Sequence, residues 1–265
     1  MKAKLISFKN RLEGTLKFDS LHTAIYATDA SVYRKIPLAV AFPKSNQDLI
    51  ELCHFASKNN TSLIPRTAGT SLAGQCVGDG IIVDVSKHFT KILNFDIEKS
   101  QITVQPGVIR DELNDFLAPH GLFFGPNTST ANRCMIGGMV GNNSSGTTSI
   151  QYGVTRDKVV KIKSILSDGS EVTFEDIDVI RFRENLELKS LEGDIYRTLY
   201  ANLNSKTTQQ RIQREFPKPE IHRRNTGYAL DTIVDTSIFK KVSTPFNMST
   251  LLSGSEGTLA LSTEI

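Results

Sequence analysis

The sequence has no stretch of about 18 consecutive apolar residues, the length needed to span a bilayer. Its opening, MKAKLISFKNRLEG, lacks the apolar run of a secretory leader. A soluble chain is expected. Cysteine is scarce: Cys53, Cys76 and Cys134 are an odd number at wide spacings, with no CxxC pair. That excludes a zinc ligand set and fits a reducing cytoplasm. The five histidines, His22, His54, His88, His120 and His222, show no paired metal spacing, so no metal site is expected. A surplus of charge is missing too. Against 31 basic residues stand 28 acidic ones, with no long run of either sign, which removes the electrostatic footprint of a nucleic-acid or membrane-surface binder.

What is present is enough for a globular core of one or two domains: 265 residues, 39% of them hydrophobic. SNQDLIELCHFASKNN, residues 45–60, opens with a capping-box pattern at Ser45 and Asp48 and carries Leu49, Leu52, Cys53 and Ala56 at helical spacing. A helix is expected there, with Cys53 on its inner face. TSLIP and IIVDV are short apolar, β-branched runs bounded by turn formers, as buried strands are. QITVQPG alternates as a strand, and VIRDELNDFLAPHG predicts a helix with Ile109, Leu113, Phe116 and Leu117 on one face. KIKSILSDGSEVTF predicts a hairpin that sets Ile162, Ser164 and Leu166 against Val172 and Phe174 around Asp168-Gly169. Further helices are expected at DIYRTLYANL and around residues 209–215. This order of elements argues for an α+β fold.

Three segments carry candidate chemistry. PRTAGTSLAGQCVGDG, residues 65–80, joins strand to strand. Gly69 and Gly74 fit the first part of a nucleoside-triphosphate phosphate loop, but Gln75 and Cys76 stand where that motif needs Lys and Ser/Thr. NTP hydrolysis is thereby excluded. The small residues that remain could let backbone N–H groups converge on an anion such as a pyrophosphate. They fit a plain long turn as well. GPNTSTANRCMIGGMVGNNSSGTTSIQYG, residues 125–153, has few large apolar side chains and exceeds ordinary connection length. It reads as a long ordered loop or a disordered linker, and the apolar CMIGGMV favours the packed loop. GSEGTLALSTEI closes the sequence as a tight turn into a strand. Ser255 directly follows Gly254, so the turn is no G-x-S-x-G nucleophile elbow. No G-x-G-x-x-G stands at a strand-to-helix junction, so a Rossmann site is unsupported.

In these three ordered segments the sequence resembles the FAD-binding domain of the p-cresol methylhydroxylase and vanillyl-alcohol oxidase flavoproteins (PCMH-type). Within them it looks most like the D-lactate and D-2-hydroxyglutarate dehydrogenase branch, in which RNTGYAL, residues 224–230, also has a counterpart. LEGTLKFDSLHTAIYATDASVYR, residues 12–34, resembles the start of bacterial proteins that fuse this flavin domain to an iron–sulfur domain.

The resemblance implies two α/β subdomains with FAD between them, at residues 39–100 and 101–265, preceded by an extension over residues 1–38. It further implies a C-terminal cap and iron–sulfur domain that lie outside this sequence and would complete the substrate site. Pro65, Arg66, Thr67, Ala68, Gly69, Thr70, Ser71, Gly74 and Gln75 would wrap the FAD pyrophosphate. Pro126, Asn127, Thr128, Ser129, Ile136, Gly137, Gly138, Gly141, Asn142, Asn143, Ser144, Ser145, Gly146, Tyr152 and Gly153 would hold the rest of the cofactor, with Glu256, Gly257 and Ile265 beside it. Thr70 occupies the position of the histidine that tethers FAD in some members, and the spacing of Cys134 does not match members tethered through cysteine, so noncovalent FAD is expected. The implied activity is oxidation of a D-2-hydroxy acid by hydride transfer to flavin, with electrons passed to an iron–sulfur domain, a quinone or an electron-transfer protein. An NADPH-dependent reductase on the same fold and a binding-only flavin or nucleotide module are the alternatives.

Overall fold

A computed structural model of the chain describes residues 1–218, 220–221 and 227–265. His222, and Arg224, Asn225 and Thr226 of the RNTGYAL segment, lie outside the described residues. The chain begins with α1 (Lys2–Lys9), β1 (Thr15–Lys17), α2 (Ser20–Ile25), β2 (Ala39–Phe42), α3 (Asn46–Asn59), β3 (Leu63–Arg66) and β4 (Ile81–Asp84). It continues with β5 (Ile92–Asp96), β6 (Gln101–Val104), α4 (Arg110–Leu117), α5 (Ile136–Asn142), α6 (Ser149–Tyr152), β7 (Ile162–Ile165) and β8 (Glu171–Phe174). Then follow α7 (Val179–Leu186), α8 (Leu191–Leu203), α9 (Lys206–Glu215), α10 (Leu230–Val234), α11 (Ser249–Leu252) and β9 (Leu261–Glu264). The fold is α+β.

The first sheet has the order β1-β2-β4-β3. Strands β2, β4 and β3 run parallel, and β1 is an antiparallel edge. Ile81, Ile82 and Val83 of the central strand are fully buried, which explains an apolar run without alternation. Leu49, Leu52 and Cys53 of α3 pack into this core, and Ala56 is buried as well. The first 38 residues are more than an extension. They supply β1, and Leu5 and Phe8 of α1 are buried in the same core, with the Phe8 and Phe55 rings stacked at 4.3 Å.

Half of the expected capping box forms. Ser45 accepts from the Asp48 N–H at 3.4 Å. The Asp48 carboxylate does not turn back to Ser45; it accepts from the backbone N–H groups of Glu13 (2.8 Å), Gly14 (2.9 Å) and Lys44 (2.8 Å). Three donors from two separate segments outweigh one local N–H.

In the second half β5 and β6 form one antiparallel pair, while β8, β7 and β9 form an antiparallel sheet. Val104 and Ile265 exchange two backbone hydrogen bonds of 2.9 Å each, which continues that sheet from β9 into β6. The β7–β8 hairpin has the expected register, Ile162 opposite Phe174 and Ser164 opposite Val172, and Gly169 takes φ +87° in its turn. The expected subdomain boundary at residues 100 and 101 falls inside the β5–β6 hairpin. Helices α7 and α8 close the second core through Phe182, Tyr196 and Phe246, with Phe182 4.9 Å from Phe246.

Two expectations change. On α4 only Leu113 and Leu117 are buried; Ile109 is the extended residue before the helix, and Phe116 is 40% exposed, edge-on to Phe95. Residues 125–153 are not all loop, since they contain α5 and α6. The Gly137-Gly138 pair sits inside α5, where tertiary packing overrides the weak helix propensity of glycine.

Candidate functional site

The loop after β3 is built to leave its backbone open. Gly69 has φ +65°, a conformation that side chains disfavour. Among the described residues, nothing accepts a hydrogen bond from the backbone N–H groups of Ala68, Gly69, Thr70, Ser71 or Leu72. Successive unpaired N–H groups can make a concave, electropositive nest for an anion.

This loop forms one wall of a cavity of about 1080 Å³, at the upper end of the ~300–1,000 Å³ common for small-molecule sites. The facing wall is Asn127–Thr130 and most of the stretch from Arg133 through α5 to Thr147; Ser255, Glu256, Gly257 and the start of β9 close a third side. Polar groups stand beside apolar Val85, Met135, Met139, Val140, Leu252 and Leu261. An extended ligand with an anionic segment and an aromatic segment fits such a lining.

The walls are bound to one another. Ser71 donates to Gln75 Oε1 at 2.7 Å, Gln75 Nε2 donates to Asn142 Oδ1 at 3.1 Å, and Asn142 Nδ2 donates to Ser144 Oγ at 2.9 Å. This relay crosses from the first loop to the end of α5. Close approach reinforces it: a Cβ on Gly137 would lie 2.5 Å from Pro106 Cβ, and one on Gly146 would lie 1.4 Å from the Asn127 carbonyl oxygen. The third side is docked by two backbone bonds, Gly254 N–H to Val140 O (2.9 Å) and Glu256 N–H to Gly141 O (2.8 Å). Beneath it the Arg156 guanidinium donates to the carbonyl oxygens of Thr250, Ser253 and Gly227. A cationic hydrogen bond to several carbonyls at once is strong enough to hold a turn in which Gly254, Glu256 and Gly257 all have positive φ.

Arg66 brings a charge into the cavity wall. Its guanidinium lies 5.0 Å from the centroid of the Tyr26 ring and donates to Thr28 O at 2.7 Å. Tyr26 in turn donates to Asp84 at 2.5 Å. Burial first, and then the Asp84 carboxylate that accepts its proton, push the Tyr26 phenol well above its ordinary value, so it stays neutral.

Of the expected cofactor residues, the structure brings most to the cavity wall, and seven stand elsewhere. Gly74 has φ +71° and packs against the Tyr33 ring. Pro126 offers its carbonyl to Arg110 at 3.2 Å. Ile136 is buried in the second core. Asn143 is the left-handed cap of α5 and accepts the Arg156 N–H. Tyr152 stacks edge-on against Phe123, and Gly153 packs on Asp157. Ile265 pairs with Val104. These residues shape the loops instead of facing the space between them. Four cavity residues lie outside the three candidate segments: Ala30, Val85, Pro106 and Leu252 arrive there through tertiary packing.

The sequence profile described as FAD binding domain matches residues 37–175, more than half of the chain. The chain belongs to the FAD binding domain family. FAD is the cofactor of this fold, and the donor-rich loop, the glycine approaches and the mixed lining fit it. The chain is 35% identical over 254 residues to the D-2-hydroxyglutarate dehydrogenase of Haemophilus influenzae, covering 94% of this chain and 24% of that protein. It is 37% identical over 241 residues to that of Escherichia coli, covering 90% and 23%. The chain thus spans about a quarter of the length of the curated relatives it matches. Among solved structures, an alkyldihydroxyacetonephosphate synthase superposes on the whole chain with a TM-score of 0.64 at 18% identity, 39% of that protein being covered. This likeness establishes the PCMH-type FAD-binding fold.

Proposed function

We propose that this chain is the FAD-binding part of a flavin-dependent dehydrogenase of D-2-hydroxy acids, with D-2-hydroxyglutarate the first substrate to test. The observation that carries the reading is the run of N–H groups from Ala68 to Leu72 that have no acceptor among the described residues, on residues that line one cavity together with α5. The nest takes the pyrophosphate, Arg66 adds a positive charge at its edge, and Asn127, Thr128, Asn142 and Ser144 orient the rest of the cofactor by hydrogen bonds. Bound FAD supplies the two-electron acceptor for the hydride leaving the substrate α-carbon. The hydroxyl proton, the substrate carboxylates and the onward electron acceptor, an iron–sulfur centre, quinone or electron-transfer protein, are handled by groups beyond these residues.

Thr70 stands where a tethering histidine would be, which supports noncovalent FAD. Among the described residues no helix is long and apolar enough to cross a membrane. All three cysteines are free and buried, in keeping with a cytoplasmic setting.

The test is the absorption spectrum of the FAD-loaded full-length protein. Anaerobic D-2-hydroxyglutarate should bleach the flavin bands, whereas its L-enantiomer should not. Bleaching by D-lactate alone would reassign the substrate. Bleaching by NADPH and by no hydroxy acid would overturn the reading in favour of a reductase.

A further inference from the structure

The family match begins at residue 37, yet residues 26–38, almost all of them before it, touch the glycine loop along its length. The Tyr26 ring lies under the Arg66 guanidinium, and Thr28 O accepts from the same group. Ala30 N–H donates to Gly69 O at 3.1 Å, beside the unpaired N–H groups. The Asp29 carboxylate meets the Cys76 thiol at 3.5 Å. The Tyr33 ring fills the space over Gly74, where a Cβ would lie 2.7 Å from it. Finally Lys35 pairs with Asp79 at 2.8 Å, and Leu38 N–H reaches Asp79 O and Gly80 O. The segment is itself closed by a bridge between Thr28 and Arg34 and by Lys35 N–H to Ala27 O. Of residues 26–38 only Ala30 lines the cavity.

A loop rich in glycine and small residues loses much entropy when it is ordered around a ligand. An element that orders it beforehand removes that cost from binding. We propose that residues 26–38 are a clamp that holds loop 66–80 in the shape that receives FAD, with Tyr26 and Tyr33 as positioning residues. The clamp acts from outside the site. Tyr26 fixes the direction of Arg66 by its ring, anchored below by Asp84. Tyr33 fixes the left-handed bend at Gly74. The inference rests on the reading that this loop carries the FAD pyrophosphate.

The experiment compares Tyr26→Leu, Tyr26→Phe and Tyr33→Ala in the full-length protein by flavin affinity, melting of the apoprotein and peptide-mapped thiol labelling of Cys76 without flavin. Tyr26→Leu should weaken FAD binding on the order of tenfold, the size of a lost cation–π contact in a partly buried setting. Tyr26→Phe keeps the ring and should stay within about threefold of the parent. Tyr33 is 58% exposed, so Tyr33→Ala keeps the fold intact and should raise Cys76 labelling on the order of tenfold through local opening of the loop. Unchanged affinity and unchanged labelling in Tyr26→Leu and Tyr33→Ala would overturn the clamp. Equal loss of FAD in the Leu and Phe variants would overturn the role of the Tyr26 ring. If the parent itself bound no FAD, the reading of the cavity would fall, and the flavin-free labelling rates would still decide the clamp.

Discussion

Gly138 faces Thr67 across the cavity so closely that a Cβ on the glycine would lie 2.6 Å from the threonine hydroxyl oxygen. The glycine has an ordinary helical φ, so its backbone accepts any side chain. Gly138→Val should therefore close the space between the walls without unfolding the chain. Flavin retention is expected to fall to background while far-UV circular dichroism stays unchanged. Gly137→Val is the contrast: its Cβ would strike Pro106, backbone included, at 2.5–3.0 Å, and melting should drop with it. Loss of structure in Gly138→Val would assign that glycine to packing instead.

Denaturation should release FAD into the supernatant. Thr70 stands in the wall of the cavity, and its hydroxyl cannot form the flavin bond that a histidine makes in tethered relatives. Flavin fluorescence that stays with the precipitated polypeptide would refute noncovalent binding.

Asp48→Ala should destabilise the first sheet. The carboxylate is 1% exposed and accepts three backbone N–H groups. Removing it takes the acceptor from three part-buried backbone donors, at a cost on the order of 1–3 kcal/mol. Urea denaturation should show the midpoint fall, and Asp48→Asn, with one acceptor oxygen left, should recover part of the loss.

Alkali should weaken the fold through its thiols. Burial pushes Cys53 and Cys76 up to about 11 from an ordinary 9.0. Nearby carboxylates add to this, Asp168 for Cys53 and Asp29 for Cys76, the latter opposed by Arg66. Below pH 9.0 both states keep the proton and the stability is complete. Above it the unfolded chain ionises first, so stability is lost as pH rises toward about 11. The fall in melting temperature over that window should be shallower in a Cys53→Ala, Cys76→Ala chain.

Strands β3 and β4, helix α3 and the β7–β8 hairpin were legible because each follows one burial rule along a single segment. Helix α5 was not, since Gly137 and Gly138 read as loop, whereas α5 packs its Ile136, Met139 and Val140 into the second core. The three cofactor segments announced themselves by small-residue composition, which marks where backbone is left open. Composition does not tell which residue of a loop faces inward, so Gly74, Tyr152 and Gly153 read as cofactor residues along with their neighbours. Ala30 and Pro106 carry no such signal because their place at the cavity depends on segments distant in sequence.

Ile165 of β7 and Leu261 of β9 are buried in the first core, among residues of α1, α3 and β4. The first sheet consequently cannot seal its apolar face from its own segments. Closing that core requires contacts between residues nearly two hundred positions apart, after the loop entropy of the whole intervening chain has been overcome. A chain wired in this way should fold slowly, because the first core closes only once β7 and β9 have docked against it.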